Sequence, residues 1–201
     1  MDLLSVDIDD VLFHFVPGLF DWHNNAYPEH VVSHKGLKYY DFREYAHAIG
    51  RTRPERAAKI FEYYRSEDFK NIPVVSGAIE GIRRLKERYD LISVTSRPDD
   101  IRELTVDSIR REIGDVFRQI VFIDSFDKQK KTKGEVCREQ GALVHIDDLI
   151  PHLENCASHG VAGILLDRSW NQGAVPNGVI RVYDWNEVPS AVEFVKRHYQ
   201  K

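Results

Sequence analysis

Short apolar runs punctuate the chain at 3–7 (LLSVD), 90–95 (DLISVT), 119–124 (QIVFID), 143–147 (LVHID) and 163–167 (GILLD), and 179–183 (VIRVY) has a similar make-up. Mainly apolar runs of this length predict strands covered on both faces. Several close on Asp or Thr. Between them the apolar positions recur at helical spacing over 78–88, 100–113, 134–140, 149–159 and 187–198, predicting amphipathic helices. Alternation of this kind predicts right-handed βαβ crossovers, hence an α/β fold in which a parallel sheet carries helices on both faces.

The rhythm breaks once. From 15 to 72 the chain offers no strand pattern, only helical and aromatic-rich sequence (LFDWHNNAYPEH, YYDFREYAHAIG, PERAAKIFEYYRSEDF). This predicts a helical insertion at 15–72, a cap over a core made of 1–14 and 73–201, with the PVVSG turn at 73–77 closing it. A chain of 201 residues suits one core with a modest insertion better than two full domains.

Composition narrows the functional classes. Apolar residues make up 42% and charged residues 30%, as in a globular protein. No apolar run has transmembrane length, and the N-terminus is acidic where a secretory signal is basic, so a cytoplasmic protein without a membrane partner is expected. The net charge of −4 with dispersed Lys and Arg gives no stripe for a nucleic-acid polymer. Cys137 and Cys156 lack the spacing of a disulfide framework or zinc site. A homodimer is left open.

The chemistry lies where the strands end, because ligands of open α/β sheets bind outside the carboxyl edge. The first strand delivers Asp7 and Asp9, two acids that could divide nucleophilic and proton-transfer work, or that merely solvate a turn. Thr95 and Ser96 end the next strand, where hydroxyl and backbone N–H groups suit a phosphate oxygen; a helix cap is the alternative. Lys128, Lys130, Lys131 and Lys133 precede the GEVCREQG helix, and one ammonium turned inward could offset phosphate charge. Asp147 and Asp148 end a later strand and would supply, with Asp7, the hard oxygens that magnesium prefers.

In this order and placement, the signals resemble the motifs of the haloacid dehalogenase (HAD) superfamily: DxDxV at Asp7, Asp9 and Val11, the strand-end Thr95, the helix-start Lys133 with Lys131 as its rival, and the Asp147–Asp148 pair. Within it the chain is most similar to the 5'(3')-deoxyribonucleotidase branch, through DIDDVL followed by FDWHN, PVVSGAIEGIRRL, VTSRP, the IDD pair and RSWNQG. Asp10 stands where that branch usually has Gly. The resemblance implies a Rossmann-like, HAD-like core and a Mg2+-dependent phosphomonoesterase. Asp7 would be the nucleophile and Asp9 the acid–base. Thr95, Ser96 and Lys133 would hold phosphate, and Asp7, Asp9 (through its carbonyl), Asp147 and Asp148 would hold metal. The expected partner is a small phosphorylated substrate, a nucleoside monophosphate first and a sugar phosphate or other organic phosphate second.

Arg97 and Trp22 are further candidates for substrate contact, and Asn171 a lesser one. Trp22, His23, Asn24, Tyr39, Tyr40 and Phe42 could stack on a base or form the insertion's own core. His30 and His34 lack a third ligand and read as surface residues, and His145, inside a strand, reads as packed or hydrogen-bonded. A non-hydrolytic phosphoacceptor module would use Asp124 at the third core strand instead, but leaves 15–72 unexplained.

Overall fold

The computed structural model describes residues 1–123 and 131–199; Asp124, Lys128 and Lys130 lie outside them. The apolar runs form β1 (Leu3–Val6), β2 (Asp90–Thr95), β3 (Ile120–Phe122), β4 (Ala142–Asp147), β5 (Ala162–Leu166) and β6 (Val179–Val182). These pair in the order β3-β2-β1-β4-β5-β6, every pair parallel. Reversal of the chain order on either side of β1 places the gap between neighbouring strand ends at the ends of β1 and β4, where such sheets bind ligands.

Alternation along the strands assigns each side chain to a face. Leu4, Val6 and Leu91 join Ile82, Leu85, Ile109 and Val192 in one buried cluster, while Leu3, Ile92 and Val94 join Val136, Cys137 and Cys156 in another. The first face is therefore covered by α4 (Ala78–Lys86), α5 (Arg102–Glu112) and α8 (Val188–Tyr199), the second by α6 (Lys133–Gln140) and α7 (Ile150–Ser158). Each large aliphatic side chain taken fully out of water contributes about 1.5–3 kcal/mol, so the two clusters commit the sheet to this layering. Among the described residues no helix is long and apolar enough to cross a membrane.

Between β1 and α4 the chain forms α1 (Phe15–Ala26), α2 (Arg53–Tyr64) and the single turn α3 (Glu67–Lys70), with no strand. Thr52 and Glu55 form a reciprocal capping box that starts α2, as a Thr-x-x-Glu spacing should. Aromatic rings hold the segment together: Phe15 packs on Tyr63 and Tyr64, Phe69 on both, and Phe20 on Phe42, at centroid separations of 4.9–5.8 Å. His23 and Asn24 bind the backbone of His30 and Val32 and so fasten the loop after α1. His30 ends a short 3-10 turn and His34 lies beyond it in non-helical backbone, so the two do not share a helix face.

Candidate active site

β1 stops at Val6 because the chain must turn. Asp7 still bonds the sheet through its N–H to Ile146 O at 2.9 Å, and Leu12 and Phe13 then close back on Ile8 O. Asp10, inside this turn, has φ +55°. Glycine reaches this left-handed region freely and Asp tolerates it. The carboxylate of Asp10 accepts from Val16 N, in the first turn of α1, at 3.2 Å through either oxygen; the residue at the cap position, His14, provides no such bond. Burial, then the charge of Asp9, raises the Asp10 carboxyl well above the usual range.

The lysine reaches the same place by a different local device. Thr132 and Glu135 form a capping box that fixes where α6 begins, one residue before Lys133. Gly134 lets α6 lie against α7, since a Cβ there would stand 2.5 Å from Asn155 O. Lys133 is thus buried with Nζ 2.6 Å from Asp147 Oδ2 and 2.8 Å from Asp7 Oδ1. Burial disfavours its charge, but those two carboxylates outweigh it and raise its pKa. Lys131 points elsewhere, to Glu139 on the exposed side of α6.

Asp147 and Asp148 are both buried, yet differently occupied. Asp147 accepts from Lys133, from His145 Nε2 at 2.9 Å, from His152 Nδ1 at 3.2 Å and from Leu149 N at 2.8 Å. Burial would raise its pKa, but Lys133 and the histidines hold it well below the usual range. Asp148 accepts from Trp170 Nε1 at 2.7 Å, and burial followed by the charge of Asp147 raises it well above that range. Asp7 is raised too, by burial that Lys133 only partly offsets.

One oxygen each from Asp7, Asp147 and Asp148 lies within 4.8 Å of the others. Asp7 Oδ1 has the Lys133 ammonium 2.8 Å away. Three buried carboxylates gathered in this way, a set of hard oxygen donors carrying more negative charge than one lysine balances, fit a divalent cation of the magnesium type.

The other predicted residues separate. Thr95 is fully buried, and its Oγ1 accepts from Arg97 N at 3.2 Å. Ser96 and Asp9 line a cavity of about 420 Å³ walled by Phe15, Tyr40, Asp41, Phe42, Arg53, Arg56, Ile60 and Tyr64. Arg97, expected at the substrate, is instead buried and paired with Asp9, Nη2 to Oδ1 at 2.7 Å. Trp22 also misses this cavity: it packs on Tyr27 and Tyr63 and borders a separate recess with His14, Asp21 and Asn25. Asn171 is buried, clamping the carbonyls of Asp148 and Leu166.

Sequence reasoning passed over His152, Trp170 and Arg168. The first two hold the Asp147–Asp148 pair, and Arg168 donates to the Asp10 carbonyl through Nε and Nη2. His152 lies in the first turn of α7, in the same LVHIDDLIPH stretch as Asp147, and Arg168 and Trp170 lie in RSWNQG, so all three stand inside stretches that the sequence marks.

The family model described as "5' nucleotidase, deoxy (Pyrimidine), cytosolic type C protein" matches residues 1–199. No curated protein matches the chain. Among solved structures, a haloacid dehalogenase-like family hydrolase from Streptococcus pneumoniae superposes with TM-score 0.68 at 14% identity, covering 96% of this chain and 98% of its own. A haloacid dehalogenase-like family hydrolase from Xanthomonas campestris gives 0.63 at 17% identity, covering 99% and 97%. A HAD hydrolase from Bacillus subtilis bound to magnesium gives 0.62 at 15% identity, covering 96% and 98%. These likenesses are of fold, and the family match extends over nearly the whole sequence. The chain belongs to the cytosolic type C 5'-nucleotidase family of HAD-type phosphohydrolases.

Proposed function

We propose that the protein is a Mg2+-dependent phosphomonoesterase that works through an aspartyl-phosphate on Asp7, with a nucleoside monophosphate as the first substrate choice. The observation that carries this is the setting of Asp7: a buried carboxylate with the Lys133 ammonium 2.8 Å from its Oδ1, in a cluster with the buried carboxylates of Asp147 and Asp148. In this reading residues 15–72 are the cap and 1–14 with 73–201 the core, and the 420 Å³ cavity between Asp9 and the aromatic side chains of the insertion receives the rest of the substrate.

An oxygen of Asp7 attacks phosphorus and the ester P–O bond breaks, while Asp9 gives a proton to the departing alcohol. Asp9 then takes a proton from water as that water attacks phosphorus; the P–O bond to Asp7 breaks, and inorganic phosphate leaves. Thr95, Ser96 and Lys133 hold phosphoryl oxygens, so positioning and charge neutralisation supply most of the rate. Asp7, the Asp9 carbonyl and the Asp147–Asp148 pair would hold magnesium, which supplies charge neutralisation at the phosphoryl group.

Arg53 and Arg56 on the cavity wall favour a second reading for the substrate, a phosphoester carrying another anionic group, such as a sugar bisphosphate. Phosphate release from nucleotides and sugar phosphates, with and without Mg2+, tests both. Metal-dependent turnover that disappears in Asp7→Asn is expected; turnover that survives the substitution would refute the mechanism.

A further inference from the structure

We propose that Arg97 is a positioning residue for Asp9: it fixes the carboxylate so that one oxygen faces the leaving group. The proposal rests on the acid–base reading of Asp9 given above. The side chain of Arg97 is 0% exposed, and Asp9 and Ser96, not Arg97, line the cavity. Its guanidinium is taken up by Asp9 instead of the cavity.

Nη2 and Nε of Arg97 both donate to Asp9 Oδ1, at 2.7 and 3.0 Å, while Oδ2 receives only Nε at 3.2 Å. A planar guanidinium that grips a carboxylate by its fork fixes the plane of that carboxylate. Oδ1 takes the two shorter bonds and Oδ2 the single longer one, so Oδ2 is the oxygen less committed to Arg97 and the one assigned to proton exchange. Asp9 remains 13% exposed at its side chain, in keeping with a group that faces the cavity with one edge.

Arg97 is itself immobilised from elements far apart in sequence. Nη1 donates to the buried Thr105 of α5 at 3.2 Å. The guanidinium sits 4.9 Å from the ring centroid of Phe69 on α3 and 5.9 Å from that of Phe13, distances at which a cation is attracted to the ring face. Phe69 packs on Tyr63 and Tyr64, so the orientation of Asp9 is tied to the packing of the insertion. Lysine could supply the charge but not the fork.

A positioned general acid matters in proportion to how badly the leaving group needs a proton. The test is kcat/KM, which reports events up to release of the leaving alcohol, for wild type, Arg97→Lys and Thr105→Val on esters from 2,4-dinitrophenyl phosphate to alkyl phosphates and nucleoside monophosphates. Arg97→Lys should lose on the order of ten- to a hundredfold on the alkyl esters and about threefold or less on the dinitrophenyl ester. Thr105→Val, which loosens Arg97 without touching Asp9, should show the same trend at smaller amplitude.

An equal loss on every ester, or none, would overturn the proposal, since a purely structural role has no preference among leaving groups. If Arg97→Lys does not fold, Thr105→Val decides alone, and a flat dependence there overturns it. Turnover abolished by Asp7→Asn with a flat Arg97→Lys profile removes this inference and leaves the hydrolase reading standing; absence of turnover by wild type on all esters removes both.

Discussion

Replacing Lys133 by Met should strengthen magnesium binding while slowing turnover, two effects that a generally damaged site would not combine. Met nearly matches the volume of Lys, so the substitution deletes the ammonium with little repacking. What remains is Asp7, Asp147 and Asp148 with oxygens within 4.8 Å of one another and no Nζ at 2.6 and 2.8 Å from two of them. Removing one partner of a buried charge pair costs about 3–5 kcal/mol. For a chain of 201 residues each kcal/mol is about 2–4 °C of Tm, so the metal-free variant should melt roughly 6–20 °C below wild type.

Magnesium then reverses the sign. Like charges a few ångströms apart repel by several kcal/mol even at an effective dielectric constant of about 20, and Lys133 exerts that repulsion on any cation in the carboxylate cluster. Its removal should tighten Mg2+ binding at least about tenfold, or about 1.4 kcal/mol, and recover part of the lost Tm. Turnover should still fall by about 10²–10³, the usual cost of deleting one preorganised charge at a developing transition state. Calorimetric Mg2+ titration, melts with EDTA or Mg2+, and phosphate release measure the three quantities. Lys131→Ala, at a residue hydrogen-bonded to the exposed Glu139 among the described residues, serves as the control. Mg2+ affinity that drops together with activity would refute the electrostatic reasoning and make Lys133 an organiser of the site.

The proximity of α4 to Trp185 gives a second test. Gly81→Ala should raise helix propensity by about 1 kcal/mol, but the new Cβ would lie 2.4 Å from Trp185 Cε3. That ring is buried and held by Nε1 to Val11 O at 2.8 Å, so overpacking of about 1–3 kcal/mol should prevail; an increase in Tm would refute the packing. A third concerns pH in the metal-free protein. Asp10 has a folded pKa raised well above 3.8 by burial and then by Asp9. Its contribution is therefore complete below the unfolded value and is lost as pH rises toward and through the folded one. Asp10→Asn, whose amide oxygen can still accept from Val16 N, should gain Tm relative to wild type progressively from pH 4.5 to 8 in EDTA, and a difference that shrinks with pH would refute the assignment.

What could be read from the sequence follows from how local each feature is. Short apolar runs of strand length, alternating with helical patterns and bounded by polar turns, point to a parallel sheet, so the sheet and its strand-end acids are legible in the sequence. The Thr132-x-x-Glu135 spacing is a local signal as well, and it is what places Lys133 at the start of a helix and Lys131 outside it. The core and cap expectation rested on the lack of any strand pattern between 15 and 72, and the structure has three helices and irregular chain there.

For Arg97 the sequence leaves substrate contact and a salt bridge open, and the structure has the bridge, buried and to Asp9. Its partner Asp9 is 88 residues away, and nothing in VTSRP distinguishes a guanidinium turned inward from one turned toward substrate. Trp22, open in the sequence between base stacking and the insertion's own core, packs on Tyr27 and Tyr63; the position of the cavity depends on where 39–42 returns, and that stretch has no period. The residues that finish the site, His152, Trp170 and Arg168, act on backbone and carboxylate oxygens of distant segments. The division is physical. A parallel sheet brings the charged atoms of its strand ends to one edge by geometry alone, whereas holding those atoms at working angles takes buried cations and ring faces supplied from elsewhere in the chain. Arg97 is such a cation, and its burial, which removes it from the substrate, is also what lets it set the direction of Asp9.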